Sequence, residues 1–182
     1  MNAFNTPDGM KTNAMPVGED RLWRDLTETA NRLFAAGERA PARKLYHWAL
    51  NEAERLFTAQ RPGDLSLPLP VIVNISCHNL AALLDDDGNH AEATRHLQRA
   101  FDLLAGTAGR PSAPTALRID CARHLKYALA ELVAHMAKHG AAQAEMDACI
   151  ARATAVTLAT RHAAEHQRRI TASACGHCDL PH

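Results

Sequence analysis

Apolar residues recur every three or four positions along most of this chain, which is the spacing of one face of an α-helix. No segment has the apolar and polar alternation of a strand. The helical stretches are interrupted by Gly37, Gly88 and Gly140, which lie 51 and 52 residues apart. Because glycine permits a tight turn between two helices, the pattern predicts about three antiparallel helix pairs with a glycine at each turn.

The first pair is predicted from apolar positions on either side of Gly37. These positions are Leu22, Leu26, Leu33 and Phe34 in the first helix, and Leu45, Trp48, Ala49, Ala53 and Leu56 in the second. The proline-bearing segment 61–70 interrupts the pattern before the second pair, and a further proline-bearing linker precedes the third. The last helix is predicted to be the longest, from about 142 to 170.

Three regions of different composition divide the chain. Residues 1–18 have no apolar period and contain scattered Asn, Thr, Pro and Gly, so they are predicted to form a mobile arm. Residues 19–172 are predicted to form one helical domain, and residues 173–182 a tail rich in cysteine and histidine. A chain of 182 residues fits roughly one domain.

The first two pairs share the same residue types at the same offsets from their glycines. The first contains Ala30, Leu33, Gly37, Ala42, Tyr46 and Ala49-Leu50, and the second contains Ala81, Leu84, Gly88, Ala93, Leu97 and Ala100-Phe101. This arrangement resembles a divergent tetratricopeptide repeat, with two clear repeats and a third pair that matches by period only. The resemblance implies an all-α fold: a right-handed stack of about three antiparallel helix pairs, or α-α superhelix, that binds a protein or peptide in its concave groove.

The resemblance also implies which residues face that groove. They are Arg24, Thr27, Asn31 and Phe34 from the first pair, and His78, Asn79, Ala82, Asp85 and Asp86 from the second. An asparagine amide donates to and accepts from a peptide backbone at once, so Asn31 and Asn79 could hold an extended ligand. The acidic run 85–87 either favours a cationic partner or is a solvated helix end whose charge opposes the macrodipole.

A second candidate site lies near the end of the chain. Cys175 and Cys178 have the spacing of two metal-binding thiolates, and His162 and His166 share one face of the last helix. Together they supply four zinc-type ligands, with His177 and His182 as substitutes. The alternative is a tail without function. A thioredoxin-like dithiol is disfavoured, because such cysteines precede a helix and follow a strand.

The overall charge excludes some partners. Lysine plus arginine equals aspartate plus glutamate, 20 against 20, so no net field attracts nucleic acid or a membrane surface. The N-terminal residues lack the features of a secretory signal, and five cysteines, an odd number, suit a reducing compartment. We therefore expect a cytoplasmic protein without nucleic-acid or membrane partners.

No motif of an enzyme was found in the sequence. The remaining hypotheses are a non-catalytic helical scaffold that binds a protein or peptide, a protein that binds zinc or copper through the terminal cluster, and a self-associating subunit. Zinc is the one candidate cofactor, and homo-oligomers belong to the third hypothesis. Other histidines, including His90, His135 and His139, are predicted to lie on polar faces or turns without forming a site.

Overall fold

A computed structural model of the protein describes residues 18–59 and 65–175. Within these ranges the regular structure consists of helices, without strands. They are α1 (Arg21–Ala35), α2 (Arg39–Ala59), α3 (Leu69–Asp86), α4 (His90–Ala108), α5 (Thr115–Lys138) and α6 (Gln143–Cys175). The last helix is the longest, as predicted, and it ends five residues beyond the expected position.

Each helix packs against the next one along the chain, so α1 with α2, α3 with α4, and α5 with α6 form three pairs. Neighbouring pairs also contact each other, because α2 packs on α3 and α4 on α5, while α3 also touches α5 and α4 touches α6. The predicted all-α stack of helix pairs is confirmed. The right-handed superhelix stays a prediction.

The three turn glycines all adopt the left-handed backbone conformation, with φ of 79° at Gly37, 79° at Gly88 and 74° at Gly140. Each turn has the same two hydrogen bonds. At Gly88, the Asn89 amide donates to the Leu84 carbonyl at 2.8 Å and the Gly88 amide donates to the Asp85 carbonyl at 3.0 Å. This is the Schellman arrangement, which satisfies carbonyls at a helix end and favours glycine at the left-handed position.

Alanine and leucine dominate the core. Fully or almost fully buried alanines include Ala30, Ala42, Ala81 and Ala93, which are the small positions shared by the two repeats. Small side chains at these positions let paired helices approach closely.

Among the described residues, no helix has an apolar stretch long enough to cross a membrane.

Two predicted core positions of the first pair are wrong. Leu22 is 56% exposed, and the neighbouring Trp23 is buried at 3% exposure in its place. Trp48 is 48% exposed, whereas Tyr46 and Leu50 on α2 are buried. A rotation of about 100° per residue separates neighbours on a helix, so an error of one position moves a side chain from the core to the surface.

Polar contacts connect the first pair to the second. The Trp23 indole N–H donates a buried hydrogen bond of 2.8 Å to Ser76 Oγ on α3. Asp20, which is fully buried just before α1, accepts a hydrogen bond of 2.9 Å from the backbone amide of Ser66 and another from its hydroxyl. These contacts fix the start of α1 against the segment that leads into α3.

Candidate functional site

A groove runs between α3 and α5, the first helices of the second and third pairs. Its walls are stripes of residues spaced three or four apart, so each stripe occupies one helix face. We call it the α3–α5 groove; its residues are Val71, Asn74, Ile75, His78, Ala82 and Asp85 on α3, and His124, Tyr127, Glu131, Ala134, His135 and Lys138 on α5.

The groove contains two cavities separated by an ion pair. One, of about 360 Å³, lies towards the helix N-termini, and the other, of about 300 Å³, lies towards the C-termini. Glu131 lines both cavities, and its Oε2 lies 2.5 Å from Nδ1 of His78 across the groove. The hydrogen bond with Glu131 raises the pKa of His78 above its ordinary value, which favours the protonated, charged imidazole.

At the C-terminal end of the groove, three histidines gather around one carboxylate. Oδ1 of Asp85 lies 2.6 Å from Nδ1 of His90, 2.8 Å from Nε2 of His139 and 3.8 Å from Nδ1 of His135. We call these four residues the Asp85 cluster. The ring of His139 stacks on that of His90, with centroids 4.1 Å apart, and lies 4.4 Å from that of His135.

The other oxygen of Asp85 has its own partner. Lys138 Nζ donates to Oδ2 of Asp85 at 2.6 Å, and this contact, together with the His90 hydrogen bond, holds the pKa of the Asp85 carboxyl well below its usual range. Asp86 and Asp87 both pair with the Arg39 guanidinium, at 3.3 and 2.8 Å. Arg39 and Lys138 therefore offset much of the negative charge of the acidic run within the chain, which weakens the case for a cationic partner there.

Comparison with protein families gives a match over most of the chain. A family model described as "Protein of unknown function (DUF2753)" matches residues 21–166. The chain belongs to this family. The match contains the α3–α5 groove and the whole Asp85 cluster, whereas Cys175 and Cys178 lie beyond it. The search of curated proteins and the search of solved structures each returned no match.

The predicted groove residues of the second pair divide into two groups. His78, Ala82 and Asp85 line the 300 Å³ cavity. Asn79 is half-buried and lines neither cavity of the groove. Asp86 is exposed and points to Arg39 on α2. Only three of these five residues therefore lie where a ligand in the α3–α5 groove would contact them.

The predicted groove residues of the first pair lie mostly against their own hairpin. Thr27 is buried at 7% exposure, and the exposed Arg24 lies 3.9 Å from the Asp20 carboxylate. Asn31 Oδ1 accepts a hydrogen bond of 2.8 Å from the Tyr46 hydroxyl on α2. The half-buried Phe34 packs edge-on against the same tyrosine ring. None of the four lines either cavity of the α3–α5 groove.

The predicted terminal metal site is only partly described. His162 and His166 are both exposed on α6, and His166 lines a separate cavity of about 280 Å³ between α5 and α6. The side chain of Cys175 and the whole of Cys178 lie outside the described residues, as do residues 1–17 of the predicted arm. This zinc site stays a prediction.

Sequence reasoning missed the Asp85 cluster, although it contained two signals. His135 and His139 are four residues apart, so they share a face of α5 at its C-terminal end. His90 lies two residues after Gly88, and the turn at that glycine brings it back towards Asp85. What the sequence did not reveal is that α5 ends beside this turn, since that depends on how the second and third pairs stack.

Proposed function

We propose that this protein is a non-catalytic helical scaffold that binds a segment of a partner protein in the α3–α5 groove. The observation that carries the proposal is the alignment of two cavities along the adjacent faces of two neighbouring helices. Grooves between the first helices of stacked pairs are the ligand sites that the tetratricopeptide-repeat resemblance implies. The proposal retains this resemblance but moves the site from the first two pairs to the second and third.

The length of the groove suits an extended peptide. From Val71 to Asp85 the helix rises by about 21 Å, at about 1.5 Å per residue. An extended chain covers about 3.3 Å per residue, so about six residues fit along this distance. A small molecule would instead favour one enclosed pocket, whereas this groove is divided in two by the His78–Glu131 pair.

The chemistry of the walls also suits a peptide. Apolar contact is available from Val71, Ile75, Ala82 and Ala134. Tyr127 is 52% exposed, and an exposed aromatic residue beside a groove is a common anchor for a protein partner. The titratable groups pair with each other, His78 with Glu131 and Lys138 with Asp85. This mutual pairing is the reason for proposing binding rather than acid–base catalysis.

One pair of variants tests the groove. Ala82 is exposed and lines the 300 Å³ cavity, so Ala82→Arg places a long charged side chain in the groove with little effect on the core. Ala159 is also exposed in a helix, but lies on α6 away from the groove, so Ala159→Arg is the matched control. Proteins captured from the native cell by the wild-type chain are identified, and peptides covering them are titrated by calorimetry.

We expect the bound peptide to lose at least about tenfold in affinity for Ala82→Arg, equivalent to about 1.4 kcal/mol, and to bind Ala159→Arg like the wild type. Hydrogen exchange should show protection by the peptide on α3 and α5. Equal binding to both variants, or protection confined to other helices, would refute the proposed site. Circular dichroism melts of all three proteins verify that the fold is unchanged.

A further inference from the structure

The Asp85 cluster combines ligands from three elements. Asp85 comes from the last turn of α3, His90 is the first residue of α4, and His135 and His139 come from the end of α5 and the residue following it. The candidate ligand atoms of Asp85, His90 and His139 all lie within 4.8 Å of one another. Three imidazole nitrogens thus converge on one carboxylate oxygen.

The hydrogen bonds of His135 determine which of its ring nitrogens is protonated. The Thr94 hydroxyl donates to the His90 carbonyl at 2.9 Å, so its oxygen is left to accept from His135 Nε2 at 3.0 Å. The same Nε2 lies 3.3 Å from the His90 carbonyl, which can only accept. Nε2 therefore carries the proton, and in the neutral ring Nδ1 presents a lone pair.

That nitrogen lies near the carboxylate of Asp85. His135 Nδ1 and Asp85 Oδ1 are 3.8 Å apart, which is too long for a hydrogen bond, and their side chains are only 8% and 14% exposed. Two electron-pair donors held this close and away from bulk water repel each other, and a cation bound between them relieves the repulsion. When two ligand atoms each lie about 2.0 Å from one metal ion, they are about 3.3 Å apart at a tetrahedral angle. They are about 4 Å apart when they lie on opposite sides of the ion.

We propose that Asp85, His90, His135 and His139 bind one divalent transition-metal ion of the zinc class. Three imidazoles and one carboxylate form a set that suits zinc and its first-row neighbours, whereas calcium and magnesium prefer oxygen ligands throughout. His135 has the outer-shell support of such ligands, since its second nitrogen donates to a hydroxyl and faces a carbonyl. Lys138 holds the remaining oxygen of Asp85 in the same way.

Binding requires the ligand atoms of the Asp85 cluster to move. His90 and His139 lie at hydrogen-bond distances from Asp85, so their nitrogens must move out by roughly 0.5 to 0.7 Å to reach tetrahedral spacing. Both are exposed residues at helix ends, where such rotations are easy. The ion would then join the α3–α4 turn to the end of α5, fixing the second pair to the third. This inference does not depend on the proposed peptide groove.

The test uses the full-length, untagged chain with Cys175→Ser and Cys178→Ser, so that the tail thiols cannot contribute. Zinc is titrated by calorimetry, and cobalt(II) serves as a spectroscopic probe. We expect one ion per chain, visible bands of tetrahedral cobalt and no thiolate charge-transfer band. Since the ion binds only the folded state, a zinc concentration of one hundred times Kd should raise Tm by about 5 to 11 °C.

Two sets of variants locate the ion. His90→Ala and His139→Ala each remove a direct ligand. Loss of a residue that only supports a ligand lowers metal affinity by roughly 10- to 100-fold, so each of these variants should lower zinc affinity by more than that. The control, His162→Ala with His166→Ala, removes the exposed pair on α6 and should leave affinity unchanged. Absence of zinc binding, or affinity that survives in both single variants, overturns the proposal. Circular dichroism confirms that each variant is folded.

Discussion

The buried hydrogen bond from Trp23 to Ser76 makes a sharp prediction about how the helix pairs hold together. Both side chains are almost completely buried, and the bond joins α1 to α3 across the boundary between two pairs. Ser76→Ala removes the acceptor and leaves the indole N–H without a partner in the core. Leaving a buried donor unsatisfied costs about 1 to 3 kcal/mol.

A smaller term opposes this loss. Alanine has the higher helix propensity, which returns a few tenths of a kcal/mol in the middle of α3. The serine hydroxyl also donates to the Ile72 carbonyl at 2.9 Å, but that carbonyl lies four residues earlier in the helix, where it also accepts the backbone bond. The net expectation is a loss of about 0.5 to 2.5 kcal/mol in unfolding free energy, or a Tm lower by about 1 to 10 °C.

Urea denaturation followed by circular dichroism measures the loss. Thr154→Ala is the control, because Thr154 makes the same kind of bond to a carbonyl four residues earlier, at 2.9 Å, but on the exposed surface of α6. It should change stability by less than about 0.5 kcal/mol. A double-mutant cycle with Trp23→Phe should give a coupling energy of about 1 kcal/mol. If Ser76→Ala matches the control, or the cycle is additive, the bond does not hold the pairs together.

Three further predictions concern the turns, the groove and the thiols. Gly37→Ala should lower the unfolding free energy measured by urea denaturation by about 1 to 2 kcal/mol. Gly37→Asn should lower it less, because asparagine tolerates the positive φ of this position. Equal losses in the two variants would contradict this. His78→Gln should lower the unfolding free energy more at about pH 5.5 than at about pH 8.5. The pKa of His78 is raised in the folded state, so its pair with Glu131 stabilises the protein at low pH and loses that effect as the pH rises through this pKa. A loss that does not depend on pH would contradict this. With the tail cysteines replaced, Cys149 should react with a thiol reagent in the native protein. The buried Cys77 and Cys121 should react only in urea, and burial raises the pKa of Cys77 to about 12.

The helical pattern and the glycine spacing were enough to predict an all-α stack of three helix pairs. Local rules decide these features: a helix end followed by a left-handed residue favours glycine, and closely paired helices favour alanine. The face of α1 was less predictable, because Leu22 and Trp23 are adjacent and both apolar. The structure buries Trp23, whose N–H has a partner in Ser76, and exposes Leu22. That choice depends on a contact with Ser76 on α3, 53 residues later in the chain.

The candidate sites were less predictable than the fold. His78, Ala82 and Asp85 could be placed on one helix face from their spacing, but the opposite wall of the groove comes from α5. Which helices form a groove depends on the stacking of pairs, and the linkers between them carry no periodic signal. The residues of α1 were assigned to the groove from the resemblance alone. Asn31, for example, accepts a hydrogen bond from Tyr46 on α2 instead.

Asp85 belongs to both proposed sites, and this links them. It lines the 300 Å³ cavity with Lys138, and it is the carboxylate of the metal cluster. An ion bound at Oδ1 would add positive charge at the C-terminal end of the groove, close to the Lys138 ammonium. A partner segment with an acidic residue at that end should then bind more tightly with zinc present, and by linkage should raise zinc affinity by the same factor. Equal peptide affinity with and without zinc would show that the cluster serves only to fasten the two helix pairs.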